Sequence, residues 1–319
     1  MLTHPHIPRV QDAIIFDRRA VRLHRDRAAG TVRAVGDILD EAADRLLDRL
    51  DDVNRRFVRA LDIGGRGVLA SRLRARGIET VSIDLSPAML QRSGAPKCSE
   101  TPKCSETPKS GALQVVADEE WLPFGPGSFD LVVASLSLHW VNDLPGALVQ
   151  IRHAMRPDGL FLASMPVLPT LAGLRAALLQ AEMELSGGVS PRVSPFPELR
   201  DCASLLQRAG FALPVADADE ISLAYRDPLS LLRDLRAAGE ANAVALRDRR
   251  VLPRDVVPLA LSHLAAVLPY QTTLRMAMMT GWSPSPDQPK PLRPGQFTVP
   301  LADAVGDRSD ALLGGPEPK

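Results

Sequence analysis

The chain has 319 residues, 45% of them hydrophobic, and its 38 Lys and Arg residues are balanced by 38 Asp and Glu residues. This length suffices for one large domain, and the balanced charge argues against nonspecific binding to nucleic acid. No apolar run is long enough to span a bilayer, so we expect no integral membrane segment. The start lacks a basic segment followed by a hydrophobic one, and three cysteines make no disulfide framework. These features predict a cytoplasmic protein.

The first part of the chain has the pattern of amphipathic helices. Residues 14–56 alternate charged and apolar side chains at helical spacing, as at Val35, Leu39, Ala42 and Leu46. We therefore predict an N-terminal helical cap over residues 1–57, packed over the mouth of a ligand site.

Short apolar segments bounded by Gly, Pro or Asp then recur between helical segments. This rhythm predicts an α/β fold with a Rossmann-like, mainly parallel seven-stranded sheet. We expect the first strand at the centre of the sheet and the last strand antiparallel at its edge. The predicted strands cover about 58–63, 79–84, 113–117, 129–135, 159–165, 215–225 and 274–280.

Three further segments complete the predicted organisation. The sheet domain spans 58–282 and carries a helical lid insertion at about 227–268, and a proline-rich tail covers 283–319. Lys97–Pro108 is a tandem duplication of Lys-Cys-Ser-Glu-Thr-Pro, whose polar composition predicts a flexible loop. Its two cysteines have no second pair or nearby histidine to complete a metal site, so we predict no metal.

The glycine turn after the first strand is the most informative motif. Residues 62–67 read Asp-Ile-Gly-Gly-Arg-Gly, and Asp84 ends the next predicted strand. Glycines let backbone approach a ligand, and a carboxylate after the second strand suits ribose hydroxyls. The acid before the first glycine repels a pyrophosphate but suits the ammonium group of S-adenosylmethionine (SAM), so we predict SAM and not NAD. The alternatives are an ordinary strand-to-helix turn and, for Asp84, a strand-end cap.

Further motifs resemble the class I SAM-dependent methyltransferases. These are residues 117–124, 128–135, 135–145 and the Asp158-Gly159 turn. In that family an acid after the third strand accepts from the adenine amino group, although Asp118 also suits a local turn cap. The predicted SAM-binding residues are Asp62, Gly64, Gly65, Gly67, Asp84 and Leu85, with Asp118 and Glu119 implied by the resemblance and Ser135 from the end of the fourth strand.

A narrower resemblance connects the chain with the methyltransferase-like assembly factors of respiratory complex I. It covers about residues 14–305 and is carried by residues 15–18, 135–145, 187–196, 234–243 and 281–282. The resemblance implies a protein substrate, an iron–sulfur subunit of complex I, whose arginine is hydroxylated. Hydroxylation enters through this resemblance alone.

Two departures from that family concern the cofactor site. The family's turn reads Asp-Leu-Gly-Cys-Gly-Arg-Gly, and one residue is missing here. After the fifth strand the family has a Gly-Gly pair, whereas this chain has Pro166 and Pro169. Prolines remove backbone donors. A degenerate relative with weakened SAM binding is therefore one of the hypotheses.

His139 is the candidate catalytic residue, because it follows the fourth strand where ligand sites open in doubly wound sheets. The alternative is a packed loop histidine. We expect His139, Ser190, Arg192 and Glu240 to surround one cleft, unless residues 187–196 merely link two helices.

Three functions remain open from the sequence. The first is modification of a complex I protein, and the second is methyl transfer to a small molecule or a carrier-bound carboxylate. The third is a non-catalytic assembly factor. Methyl transfer requires only alignment and exclusion of water, because SAM supplies the activated methyl group.

Overall fold

The computed structural model describes residues 14–94, 113–250, 252–266 and 268–288. They form one seven-stranded mixed sheet in the order β3-β2-β1-β4-β5-β7-β6, which confirms the predicted fold class. The strands are β1 Arg59–Ile63, β2 Glu79–Asp84, β3 Leu113–Val116, β4 Phe129–Ser135, β5 Met155–Pro166, β6 Ala212–Tyr225 and β7 Tyr270–Trp282.

Helices cover both faces of this sheet. The α-helices are α1 Arg18–Ala28, α2 Gly36–Asp51, α3 Val68–Ala75, α4 Pro87–Gly94, α5 Leu144–Ala154, α6 Ala172–Ser186, α7 Leu199–Arg208, α8 Pro228–Ala238 and α9 Val256–Leu264. Short 3-10 helices cover Val32–Val35 and Leu138–Trp140. Within the described ranges, no helix is both long and apolar enough to cross a membrane.

The central strands are buried on both faces, as is usual for a parallel sheet. Leu131 and Val133 of β4 pack with α2 and α3 on one side, and Val132 and Ala134 pack with α5 and α7 on the other. Because β1, β2, β3 and β4 run parallel, their carboxyl ends meet at one edge of the sheet. The candidate site lies at this edge.

Two expected strand positions were wrong. The last strand is antiparallel, but it lies between β5 and β6 and not at the edge. Its residues 276–279 are all buried, so β7 needs a neighbour on either side, whereas most of β6 is partly exposed. The first strand is the third of seven, and β4 is central.

Two groups of helices border the carboxyl ends of the strands. Between β6 and β7 the chain forms α8 and α9, which pack with α6 through Leu174, Leu231 and Val256. At the N-terminus, Phe16 pairs with Val244 in an isolated antiparallel bridge, which connects the start of α1 to the segment after α8. The duplication at 97–108 and the tail beyond 288 lie outside the described residues.

Candidate functional site

The glycine turn between β1 and α3 approaches other parts of the chain closely. Gly64 has a φ of +63°, and a Cβ on it would lie 2.5 Å from the Ser137 Cβ. A Cβ on Gly65 would overlap the carboxylate of Asp62. Both positions therefore require glycine, because neighbouring side chains of the protein leave no room for a Cβ.

Asp62, the last residue but one of β1, is a fully buried carboxylate. Neither of its oxygens makes a hydrogen bond of good geometry with the described residues, although the Ser82 hydroxyl and the Ala70 N–H lie near enough to lower its pKa. Burial, with a further contribution from the charge of Asp84, raises the pKa of Asp62 to about 7. A buried carboxylate with such weak hydrogen bonding, beside the turn, is the kind of group that an ammonium ligand stabilises.

Asp84, at the end of β2, is paired with an arginine of α1. Its Oδ1 accepts from the backbone N–H of Ser86 at 2.7 Å, and its Oδ2 lies 3.1 Å from Nη2 of Arg25. The same Nη2 donates to the carbonyl oxygen of Gly64 at 2.9 Å. Burial raises the pKa of Asp84, and Arg25 opposes that rise. Arg25 thus connects the ends of β1 and β2.

The acids after β3 are paired with the same helix. Nη2 of Arg18 lies 2.6 Å from Oδ1 of Asp118 and also contacts Glu119. Nη1 of Arg25 lies 3.5 Å from Oε1 of Glu119. Asp118 also accepts from the N–H of Glu120, so it makes the local turn cap as well. The predicted adenine acids therefore both face α1.

The remaining predicted cofactor residues lie at the same edge of the sheet. Gly67 has a φ of +85° and caps the start of α3, and Leu85 packs with Phe16 and Trp140. Ser135 ends β4, where its hydroxyl lies 3.4 Å from that of Ser164. The set fits SAM in chemical type, because Asp62 suits an ammonium group and the other acids suit hydroxyl and amino donors.

A cavity of about 290 Å³ opens beside the glycine turn. Its walls are mainly leucines from α6, α8, β6 and β7, and its polar end is formed by Arg66, His139, Trp140 and Glu240. Apolar walls with a few convergent polar groups are typical of sites for organic ligands. This cavity is the candidate acceptor site.

Glu240 organises the polar end of the cavity. Its Oε2 accepts from Nε1 of Trp140 at 2.9 Å and lies 2.8 Å from Nε2 of His139, while Oε1 contacts Arg66. Burial acts to raise the pKa of Glu240, but His139 and Arg66 outweigh it and hold the pKa at about 2. An ionised carboxylate, paired with Arg66 and His139, therefore faces a mainly apolar cavity that Arg192 and Asp234 also line.

The predicted cleft is formed in part. His139, Arg192 and Glu240 line one cavity, and Arg192 is held by Glu182 of α6. Ser190 is not among the lining residues, because its hydroxyl accepts from the N–H of Asp248 instead. In the segment after β5, the N–H of Val167 donates to the carbonyl oxygen of Arg275 in β7. This backbone group therefore holds the segment to the sheet.

The sequence interpretation missed the arginines of the site. Arg25 and Arg66 are almost completely buried, and Arg18 is largely buried. Arg18 and Arg25 are seven residues apart, which places them on one face of a helix, and this spacing was the available signal. Arg18 belongs to the motif at residues 15–18, but without the fold nothing distinguished Arg25 from the many other arginines of residues 14–56.

Comparison with known proteins identifies the family of this chain. A family described as a methyltransferase domain matches residues 35–214. With the fold and the site in place, the chain belongs to the SAM-dependent methyltransferase family, and SAM is its cofactor.

The relatives at the level of individual proteins fall into two groups. The chain is 38% identical to the human mitochondrial arginine-hydroxylase NDUFAF5, over 91% of this chain and 83% of the relative. It is 36% identical to the malonyl-[acyl-carrier protein] O-methyltransferase of Laribacter hongkongensis, over 76% of this chain and 81% of the relative. The solved YcgJ protein of Bacillus subtilis shares the fold at a TM-score of 0.50 and 14% identity. The match covers 75% of this chain and 98% of that chain.

Proposed function

We propose that this chain is a SAM-dependent enzyme of respiratory complex I assembly that modifies a side chain on a protein subunit. We place it in the bacterial cytoplasm, beside the inner membrane. The mitochondrial relatives named arginine-hydroxylase support the assignment, because the similarity extends over 91% of this chain and includes the lid.

The observation that carries the proposal is the ionised Glu240 at the end of an apolar cavity. Glu240 is partly buried and shared between Arg66 and His139, and in this proposal a guanidinium or ammonium group of the substrate joins that network, with leucine walls to exclude water around it. In this proposal Glu240 binds the cationic side chain and His139 contacts the reacting atom. SAM, when bound, supplies an activated methyl group.

The cofactor residues have separate roles in this proposal. Asp62 and the backbone of Gly64, Gly65 and Gly67 hold the amino-acid end of SAM, and Asp84 with Leu85 holds the ribose. Asp118 and Glu119 recognise adenine, and Ser135 borders the reacting end.

The test is mass spectrometry of the iron–sulfur subunits of complex I from cells with and without this gene. We expect one arginine-containing peptide to lose a modification in the deletion strain. A difference of one oxygen atom identifies hydroxylation, and a difference of one methyl group identifies methylation. Identical peptides in both strains contradict the proposal.

A second candidate is methyl transfer to a carboxylate on a small molecule or a carrier protein. Arg66 and Arg192 line the cavity with the leucines, which suits a carboxylate on an apolar chain. The malonyl-[acyl-carrier protein] O-methyltransferases, at 35–36% identity, support it. Formation of a base-labile methyl ester on a malonyl carrier, with no change in complex I, would favour this candidate.

A third candidate is a non-catalytic assembly factor. The shortened turn and the ion pairs between the cofactor acids and α1 favour it. Complementation separates this candidate from the enzymes. An Asp84→Ala chain that restores complex I in a deletion strain, without any subunit modification, would support an assembly role and exclude catalysis.

A further inference from the structure

We propose that Arg25 and Arg18 of α1 compete with SAM for the carboxylates of the cofactor site, so that SAM binds by displacing the Arg25 guanidinium. This inference rests on the proposed assignment of the cofactor residues and is independent of the acceptor. It makes α1 a determinant of cofactor affinity.

The competition is most direct at Asp84. A ribose diol needs acceptor positions on this carboxylate, but Oδ1 accepts from Ser86 N–H and Oδ2 lies 3.1 Å from Arg25. Arg25 also donates to the carbonyl oxygen of Gly64, beside the position assigned to the amino-acid end of SAM. The Arg25 guanidinium therefore occupies acceptors at two places in the proposed cofactor site, the Asp84 carboxylate and the Gly64 carbonyl oxygen.

Arg18 acts in the same way at the adenine end. Its guanidinium contacts Asp118 and Glu119 and donates to the carbonyl oxygen of Trp140 at 2.9 Å. An adenine amino group is a neutral donor and competes poorly with a guanidinium for a carboxylate. Arg18 therefore keeps part of its contact with Asp118 and Glu119, which links the adenine site to α1.

The position of α1 is fixed by backbone contacts, which keeps both arginines aimed at the sheet. The N–H of Asp17 donates to the carbonyl oxygen of Ala243 at 2.8 Å. A Cβ on Gly239 would lie 3.4 Å from the Arg25 Cα, so this glycine lets the end of α8 pack closely on α1. Since the Arg25 side chain is 1% exposed, its guanidinium cannot leave Asp84 unless its surroundings loosen.

The charges are consistent with an exchange. Asp84, Asp118 and Glu119 carry three negative charges when ionised, against two positive charges on Arg18 and Arg25. SAM brings a positive sulfonium and donor groups for the same acids. SAM binding therefore replaces one set of charge-assisted contacts by another, and its net affinity is reduced by the contacts that it breaks.

Calorimetric titration of SAM into the full chain tests the proposal. Arg25→Met keeps the apolar stem and removes the guanidinium, so we expect it to bind SAM several-fold more tightly than the wild type. Arg22→Met is the matched control, because Arg22 lies on the same helix, is about half exposed and pairs within the helix with Asp26. We expect the control to bind SAM as the wild type does.

The outcomes separate this inference from the cofactor assignment. Equal affinity of Arg25→Met and the wild type overturns the competition but leaves SAM binding intact. Weaker binding by a folded Arg25→Met also overturns it, because Arg25 would then be a SAM ligand. Absence of SAM binding to every variant contradicts both the competition and the proposed cofactor residues.

Hydrogen exchange provides a measurement that needs no variant, should Arg25→Met fail to fold. If SAM displaces Arg25, saturating SAM breaks ion pairs that hold α1 to the sheet, so the amides of residues 18–28 should exchange faster. Exchange in α1 that is unchanged or slower with SAM overturns the proposal.

Discussion

Asp62 is a residue of the candidate site whose carboxyl group ionises near neutral pH. Its pKa of about 7 arises first from burial and then from the charge of Asp84. In the proposed function this carboxylate faces the ammonium group of SAM. A protonated Asp62 attracts that cation less than an ionised one does.

We therefore predict that SAM affinity rises several-fold between about pH 6 and about pH 8, as Asp62 ionises. Calorimetric titrations across this range measure the effect. Asp62→Asn is the control, since an amide does not titrate and its affinity should be independent of pH. The same slope in both proteins would show that another group is responsible.

The same pKa predicts a change in stability with a definite sign. Because the folded pKa lies above the ordinary 3.8, the unfolded chain loses this proton first, and stability falls as pH rises from about 4 to about 7. Asp62→Asn should gain up to about 4 kcal/mol over the wild type at about pH 8 and little at about pH 4. Urea unfolding at both pH values measures the difference. An equal gain in the free energy of unfolding at both pH values would contradict the raised pKa of Asp62.

For Glu240 the change of stability with pH runs in the opposite direction, because its pKa is lowered to about 2. Its contribution to stability is present above the ordinary value of 4.5 and is lost as pH falls through about 2. At neutral pH, Glu240→Gln leaves the buried Arg66 without a counter-ion and should destabilise the chain by about 3 kcal/mol.

A matched control for Glu240 is Glu41→Gln on α2. Glu41 pairs with Arg45 at the surface, so this change should cost less than about 1 kcal/mol. Urea unfolding of the two variants provides the comparison. If Glu240→Gln is no more destabilised than the control, the network of Arg66, His139 and Glu240 does not stabilise the folded chain.

At the scale of elements, the β1–α3 turn and the helix α1 act on the same site. The turn is one residue shorter than the pattern of the resembling family, and Arg25 contacts its Gly64 carbonyl oxygen. A shorter turn presents fewer backbone groups to a ligand, so its length should influence cofactor affinity.

We predict that insertion of one cysteine between Gly64 and Gly65, which restores the family's spacing, increases SAM affinity. The added residue lengthens the loop whose backbone we propose to contact the amino-acid end of SAM. A suitable control is the same insertion after Gly77, in the turn between α3 and β2. Calorimetry that finds weaker binding only after insertion at Gly64 would show that the short turn is already suited to SAM.

At the scale of the whole molecule, the candidate acceptor cavity lies between the sheet and the helices α6 and α8. Leu174, Leu178, Leu232 and Leu235 line it from those helices. The cofactor acids lie at the ends of β2 and β3, outside this lining. The two sites meet around Arg66, Leu136 and Trp140, but their remaining residues differ, so their ligands should respond to different substitutions.

Leu232→Trp tests this separation by filling the cavity with a larger side chain. We expect loss of subunit modification in cells, because the acceptor is excluded, with SAM affinity within about twofold of the wild type. Leu179→Trp is the control, since Leu179 lies on α6 and its side chain is substantially exposed. Full modification by the Leu232→Trp chain would place the acceptor elsewhere.

The sequence by itself determined the fold class, the turn at Gly64 and Gly65, and the acids after β1, β2 and β3. These features follow from periodicity and from local backbone geometry, which act over a few neighbouring residues. The tertiary structure alone decided the position of β7 and the pairing of Arg25 with Asp84 and of Glu240 with His139. The two side-chain pairings join residues 59 and 101 positions apart, and burial selects such contacts only when the whole chain has packed.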